Sequence, residues 1–224
     1  MKRGLIIGFF LLMGLSRPTS SQQTYKPPEV ASAGDAYIPY QVVVDGLFVL
    51  DVSLDEDGKI KEVDALRAPG AMLGATKTSV RSWTFQAASK EGKSAPSRMT
   101  VSFVYRPANN DRVGAVPPKD FSPVLPVDQS ESTAHGNYVP VGVLSFTYPA
   151  YPANSVAWGS VVVQFTVDGS GAIKDVDFLH PMEGFNSLVS DALKKWRFQA
   201  ATFNGKPITS KTTIAFVFQT PSSN

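Results

Sequence analysis

Two histidines, His135 and His180, and no cysteine make up the whole stock for imidazole or thiolate chemistry in this 224-residue chain. Without cysteine there is no disulfide framework, thiolate nucleophile, Cys-ligated zinc or lipid-modified N-terminal cysteine. Neither histidine joins a visible triad or metal cluster: His135 lies in a proline-rich stretch, and His180 follows a predicted strand whose repeat-equivalent position holds Arg67. Both read as surface side chains. Asp55, Glu56 and Asp57 before Gly58 have the oxygen density of a calcium loop. The second copy of the same unit keeps only Asp168 of the three, so a plain hairpin turn is the reading. Gly169-Ser170-Gly171 sits in a chain reversal and lacks the strand-to-helix setting of a nucleophile elbow. With no phosphate-binding loop and no paired catalytic carboxylates, the sequence predicts a protein that is not an enzyme and carries no cofactor and no metal.

The charge balance narrows the partners. The formal net charge of +2 includes Lys2, Arg3 and Arg17, which belong to an N-terminal segment that reads as removable. The remainder is close to neutral, with no basic tract to release counterions from nucleic acid or to attract anionic lipid. Lys2 and Arg3 precede an apolar run over residues 4–15, followed by small residues around Thr19-Ser20-Ser21, the order of an export signal. The apolar run is shorter than the roughly 17 to 20 residues of a membrane-crossing helix. The expectation is a signal peptide over residues 1–21, no membrane span after its removal, and a periplasmic location.

An internal repeat organises the rest. A constant shift of 113 residues overlays 39–105 on 152–218 without a gap, with identities such as Gly46/Gly159, Asp55/Asp168, Gly58/Gly171, Trp83/Trp196, Phe85/Phe198, Gly92/Gly205 and Phe103/Phe216. Between the copies, residues 107–140 hold six prolines and clusters of Asn, Asp and Ser, and read as an extended spacer. Part of 113–126 carries enough Val, Phe and Leu to lie on a domain surface. The expected organisation is a signal peptide at 1–21, an extension at 22–36, a first domain at 37–106, the linker at 107–140 and a second domain at 141–224. The two domains are expected to be separable bodies.

Within the second copy Val161, Val163, Phe165 and Val167 alternate with other residues, then Asp168-Gly169-Ser170-Gly171 reverses the chain into a second strand. Phe185, Leu188, Ala192 and Trp196 then fall three to four apart, predicting one amphipathic helix with Asn186 or Ser187 as N-cap. A last strand follows, with Ile214, Phe216 and Phe218 on one face, matched by Val101, Phe103 and Tyr105 in the first copy. The predicted fold class is α+β: two tandem small domains, each a three-stranded antiparallel sheet in the order β-β-α-β packed against one helix. Trp83 and Trp196, just before Phe85 and Phe198, read as anchors of the helix–sheet seam.

The second copy resembles the C-terminal domain of TonB-family energy transducers. The residues that carry the likeness are Tyr151-Pro152, the run from Gly159 to Asp168, Trp196-Arg197-Phe198-Gln199-Ala200-Ala201, and Gly205-Lys206-Pro207. Ala200 stands where the family usually has proline, and the first copy is more diverged, with Thr84 in place of the arginine. The resemblance implies a protein-interaction domain that pairs an edge strand with an extended peptide. On that basis the final strand, residues 209–219, is the expected binding edge: Thr212, Thr213, Ile214, Ala215, Phe216, Val217 and Phe218, with Arg197, Lys206 and Lys211 steering acidic peptide residues. The implied partner is an envelope protein, a TonB-dependent outer-membrane receptor among the candidates, with a second copy of the chain as a further one. The alternative is a component of TonB-dependent transport held by an uncleaved N-terminal segment.

Overall fold

The computed structural model describes residues 24–37, 42, 44–107, 121–126, 137–152, 155 and 157–219. The expected signal peptide, His135 and most of the expected linker lie outside these residues. The first repeat opens with two short strands, β1 (Tyr25–Lys26) and β2 (Glu29–Ser32), then the long hairpin β3 (Gly46–Leu54) and β4 (Ile60–Arg67). Helix α1 (Leu73–Arg81) follows, then β5 (Thr84–Gln86), β6 (Ala88–Lys90), β7 (Lys93–Ala95) and the last strand β8 (Ser97–Pro107). The second repeat has the same order: β9 (Tyr138–Val139), β10 (Gly142–Ser145), β11 (Gly159–Val167) and β12 (Ile173–His180). It continues with α2 (Asn186–Leu193), β13 (Arg197–Gln199), β14 (Ala201–Phe203), β15 (Lys206–Ile208) and β16 (Ser210–Gln219). The chain is α+β, mostly strand, with two helices among the described residues.

Local chemistry explains the hairpins. Asp55 Oδ1 accepts the amides of Asp57 (2.9 Å) and Lys59 (2.8 Å), and Asp168 Oδ1 accepts those of Ser170 (2.9 Å) and Ala172 (3.1 Å). Of the side chains with a calcium loop's oxygen density, Asp55 is thus bonded to its own turn and Asp57 accepts from Lys59 Nζ at 3.0 Å. Gly58 and Gly171 complete the turns at φ of +81° and +86°, and a Cβ at either would run into the carbonyl oxygen of Phe85 or Phe198. Glycine is required there both for backbone conformation and for space.

The two copies do not form separate sheets, which corrects the expected pair of separable domains. They share one six-stranded sheet in the order β12-β11-β16-β8-β3-β4. All neighbours are antiparallel except the central pair, where β16 and β8 run parallel. Thr213 lies opposite Val101, although its repeat-equivalent is Thr100, so the two strands meet one residue out of step. Because side chains alternate with a period of two, that single-residue offset points equivalent side chains to opposite faces. Phe103 packs in the core under α1, with Phe48, Leu50, Met72 and Val80, while its equivalent Phe216 packs in the core under α2, with Val163, Phe165, Val189 and Leu193. The helices therefore cover opposite faces of one sheet.

Each half of the sheet still has a second face to cover, and the leading segment of the other copy covers it. Residues 29–36 lie over the back of copy 2, with Val30 and Ala36 in one core with Val162, Ala215 and Val217. Residues 138–148 lie over the back of copy 1, where Tyr138, Val141, Val143 and Phe146 join Leu47, Val49 and Val104. Each strap also pairs with its own copy, β2 on β5 and β10 on β13. The expected boundaries change accordingly, since the extension and the end of the linker are structural parts of the repeats. Residues 121–126 also lie on the protein: Val124 exchanges backbone hydrogen bonds with Val143 at 2.8 and 2.9 Å, and Phe121 meets Phe146 edge-on at 5.0 Å.

Burial on both faces explains why β3, β8, β11 and β16 are almost wholly inaccessible rather than half-exposed. Trp196 stacks on Phe198 (5.7 Å between centroids), meets Phe216 edge-on (5.9 Å), and donates from Nε1 to the carbonyl of Thr147 at 2.9 Å. The helix α2 starts without a side-chain cap, because Asn186 Oδ1 instead accepts the amide of Met182 at 2.9 Å.

Candidate functional site

The expected binding edge is not an edge. β16 pairs with β11 along one side, from Val167↔Ser210 to Gly159↔Phe218, and with β8 along the other, from Thr213↔Val101 to Gln219↔Pro107. Thr212, Thr213, Ile214, Ala215, Phe216, Val217 and Phe218 are all buried, and no peptide can add to a strand whose two rows of backbone groups are taken. The physical reason is that a free strand with apolar side chains on both faces is stabilised most by its own sequence-related neighbour, which supplies a matching strand at high local concentration.

The three expected cations separate. Lys211 is engaged by Glu29 of the first strap, in an ion pair that crosses between copies. Burial alone would raise the Glu29 carboxyl, but the hydrogen bond and charge of Lys211, aided by Lys26, hold it below the usual carboxylate range. Lys206 is exposed on β15. Arg197 is exposed on β13, where its guanidinium donates to the carbonyls of Trp196 (2.8 Å) and Lys194 (3.3 Å).

The outer strands of the shared sheet are β4 and β12, each paired on one side only among the described residues. Both are charged, Ile60-Lys61-Glu62-Val63-Asp64 and Ile173-Lys174-Asp175-Val176-Asp177, and both are bulged against their partners. Charge and bulges are the usual protection of a rim against uncontrolled pairing. Beside each rim lies a groove bounded by the strand, the end of the helix and the short strand after it. In copy 1 it runs between Ile60, Val63, Arg81, Trp83 and Thr84, and in copy 2 between Ile173, Val176, Leu193, Trp196 and Arg197. The edge-strand geometry that the sequence assigns to 209–219 is thus found at 60–67 and 173–180. The signal for this lies in composition, since these strands alternate charge with apolar residues, whereas Ile214 to Phe218 is apolar without a break.

The grooves offer no catalytic constellation. His180 Nε2 stands 3.9 Å from Asp35 Oδ1, and the Ser160 hydroxyl donates to that same carboxylate oxygen while accepting the Ala36 amide, so the carboxylate and the hydroxyl tie down the strap. Among the described residues no group of three or more His, Asp or Glu side chains is placed to hold a metal ion, and no helix is long and apolar enough to cross a membrane. What the site does offer is backbone hydrogen-bonding capacity next to an apolar cleft.

The family model of the Gram-negative bacterial TonB protein C-terminal domain matches the chain twice, over residues 43–107 and 145–220. The chain belongs to that family. Its two matches are the two halves of the shared sheet, so the protein carries tandem TonB C-terminal domains. The family is one of periplasmic protein-interaction domains rather than enzymes. No curated protein matches the chain.

Proposed function

We propose that the protein is a periplasmic docking module that captures an extended segment of an envelope protein by adding it as a strand to an outer rim of its sheet. The observation that carries this reading is the pair of outer strands, β4 and β12, each with one side unpaired among the described residues and an adjoining groove. An added strand makes four to six backbone hydrogen bonds at about 1 kcal/mol each, offset by about 2 to 5 kcal/mol for ordering the peptide. The result is micromolar or weaker affinity per rim, raised by avidity where one partner engages both.

Photo-crosslinkers placed singly at Lys61, Lys174 and Trp158 of the exported full chain test this. Partner adducts are expected from Lys61 or Lys174, and adducts confined to Trp158, exposed at the start of β11, overturn the reading. The alternative, a component of TonB-dependent transport, requires residues 1–21 to remain attached. N-terminal sequencing of the exported chain decides between them, with a start near Gln22 expected for the docking module.

A further inference from the structure

The two grooves come from one repeated sequence but differ in shape. In copy 1, β4 pairs Val52↔Val63 and Ser53↔Glu62 and then skips to Leu54↔Ile60, which places the bulge at Lys61. In copy 2, Gln164↔Asp177 is followed by Thr166↔Lys174, so the extra residue falls at Asp175-Val176, one position later along the strand. Asp175 takes a φ of +44°, the left-handed region that aspartate tolerates better than most non-glycine residues and that marks the bulge. The displaced bulge re-aims the next side chain. Val63 is 2% exposed, tucked against the sheet, whereas its equivalent Val176 is 45% exposed and faces the groove.

Two further changes act in the same direction. Phe178 replaces Ala65 and adds an aromatic wall. The charged side chains lining the copy 1 groove are mixed, with Asp57 and Glu62 among Lys59, Lys61 and Arg81. Those lining the copy 2 groove are Lys194 and Arg197 alone. Lys194 is shared with Asp191 at 2.8 Å, which it holds below the usual carboxylate range, and among the described residues Arg197 has only backbone carbonyls as hydrogen-bond partners.

We infer that the copy 2 groove is the specialised dock: an extended acidic segment of another protein adds to β12, seats an apolar side chain against Val176 and Phe178, and places a carboxylate against Lys194 and Arg197, while copy 1 does not take it. This rests on the strand-addition reading above and adds the choice of rim and the chemistry of the partner. An apolar seat flanked by two cations gives a peptide two anchors at alternate positions, the spacing at which an added strand presents side chains to one face.

The test uses the isotopically labelled full chain and two synthetic eight-residue acetylated peptides. In one, leucine and glutamate occupy alternate positions of an otherwise threonine chain; the other has lysine for glutamate. The acidic peptide is expected to shift the amides of 173–179 and 190–197, and to bind at least ten-fold more tightly than the basic one. Val176→Asp is expected to remove that binding, and Lys93→Ala, at an exposed position of β7 away from both grooves, to leave it unchanged. The double variant Lys194→Glu/Arg197→Glu is expected to reverse the preference between peptides, which a merely misfolded protein would not do. Equal binding of both peptides, shifts centred on 60–67, or concentration-dependent shifts at 173–179 without peptide, which mark a second copy as occupant, each overturn the inference while leaving rim docking in place. No shift at either rim overturns both.

Discussion

Gln164, on the back face of copy 2, binds the strap of copy 1 with both ends of its amide: Oε1 accepts the Val30 amide at 2.8 Å and Nε2 donates to the Val30 carbonyl at 3.2 Å. The equivalent residue in copy 1 is Asp51, which instead forms a buried ion pair with Arg98, beneath the other strap. One repeated position thus does two jobs: in copy 2 it substitutes for a strand neighbour, and in copy 1 it neutralises a buried cation.

Gln164→Leu leaves the Val30 amide and carbonyl buried without partners, and is expected to cost about 1 to 3 kcal/mol. Chemical denaturation reads the loss, and hydrogen exchange should show faster exchange at residues 29–36 than in the parent. Unchanged exchange in the strap would show that this clamp does not hold it.

Acid is expected to loosen the same strap. Glu29 is held below its ordinary value of about 4.3, so its contribution is present above that pH and is lost as pH falls through the lower folded-state value. Proteolysis at residues 24–37 should therefore accelerate below about pH 4. Glu29→Gln should remove that step, and persistence of the step in the variant would assign it to another group.

The two tryptophans predict unequal responses to one substitution. Trp196 Nε1 donates to Thr147, while Trp83 Nε1 is buried with no hydrogen-bond partner among the described residues. Trp196→Phe should cost about 1 kcal/mol more than Trp83→Phe, since only the former loses a hydrogen bond and orphans a carbonyl. Thermal unfolding of the two variants compares them directly, and equal losses would mean that ring volume alone matters.

Gly58→Ala and Gly171→Ala are expected to destabilise more than Gly92→Ala and Gly205→Ala. All four have positive φ, but only the first two have a carbonyl where the Cβ would go. The turn glycines in open space should cost about 1 to 2 kcal/mol, the left-handed penalty alone. Denaturant midpoints that fall equally for the two pairs would refute the steric part.

Residues 141–224 expressed alone are expected to self-associate. Removing copy 1 frees the β8-facing side of β16 and uncovers Val162, Ala215 and Val217, a ready strand-pairing template beside apolar surface. Sedimentation should show dimers or larger species for the fragment beside a lighter average state per domain for the full chain. A monodisperse, folded monomer would mean that the shared sheet is dispensable.

Much of this was readable from residue order alone. The repeat, the hairpins closed by Asp55 and Asp168, one helix per copy shortly before Trp83 and Trp196, and the family all follow from local spacing and turn chemistry. Even the straps left a trace, since Tyr25/Tyr138, Pro27/Pro140, Val30/Val143 and Ser32/Ser145 continue the 113-residue shift upstream of the segment read as repeated. Which rim stays open was settled only in three dimensions. Strand pattern reports how many faces are buried and not which neighbour buries them: the unbroken apolar run from Ile214 to Phe218 marks a strand covered on both faces but does not name β8 as its neighbour. The parallel, offset pairing of β8 and β16 depends on contacts more than a hundred residues apart, where no local propensity reaches. That pairing buries the two last strands together and leaves the charged strands β4 and β12 outermost.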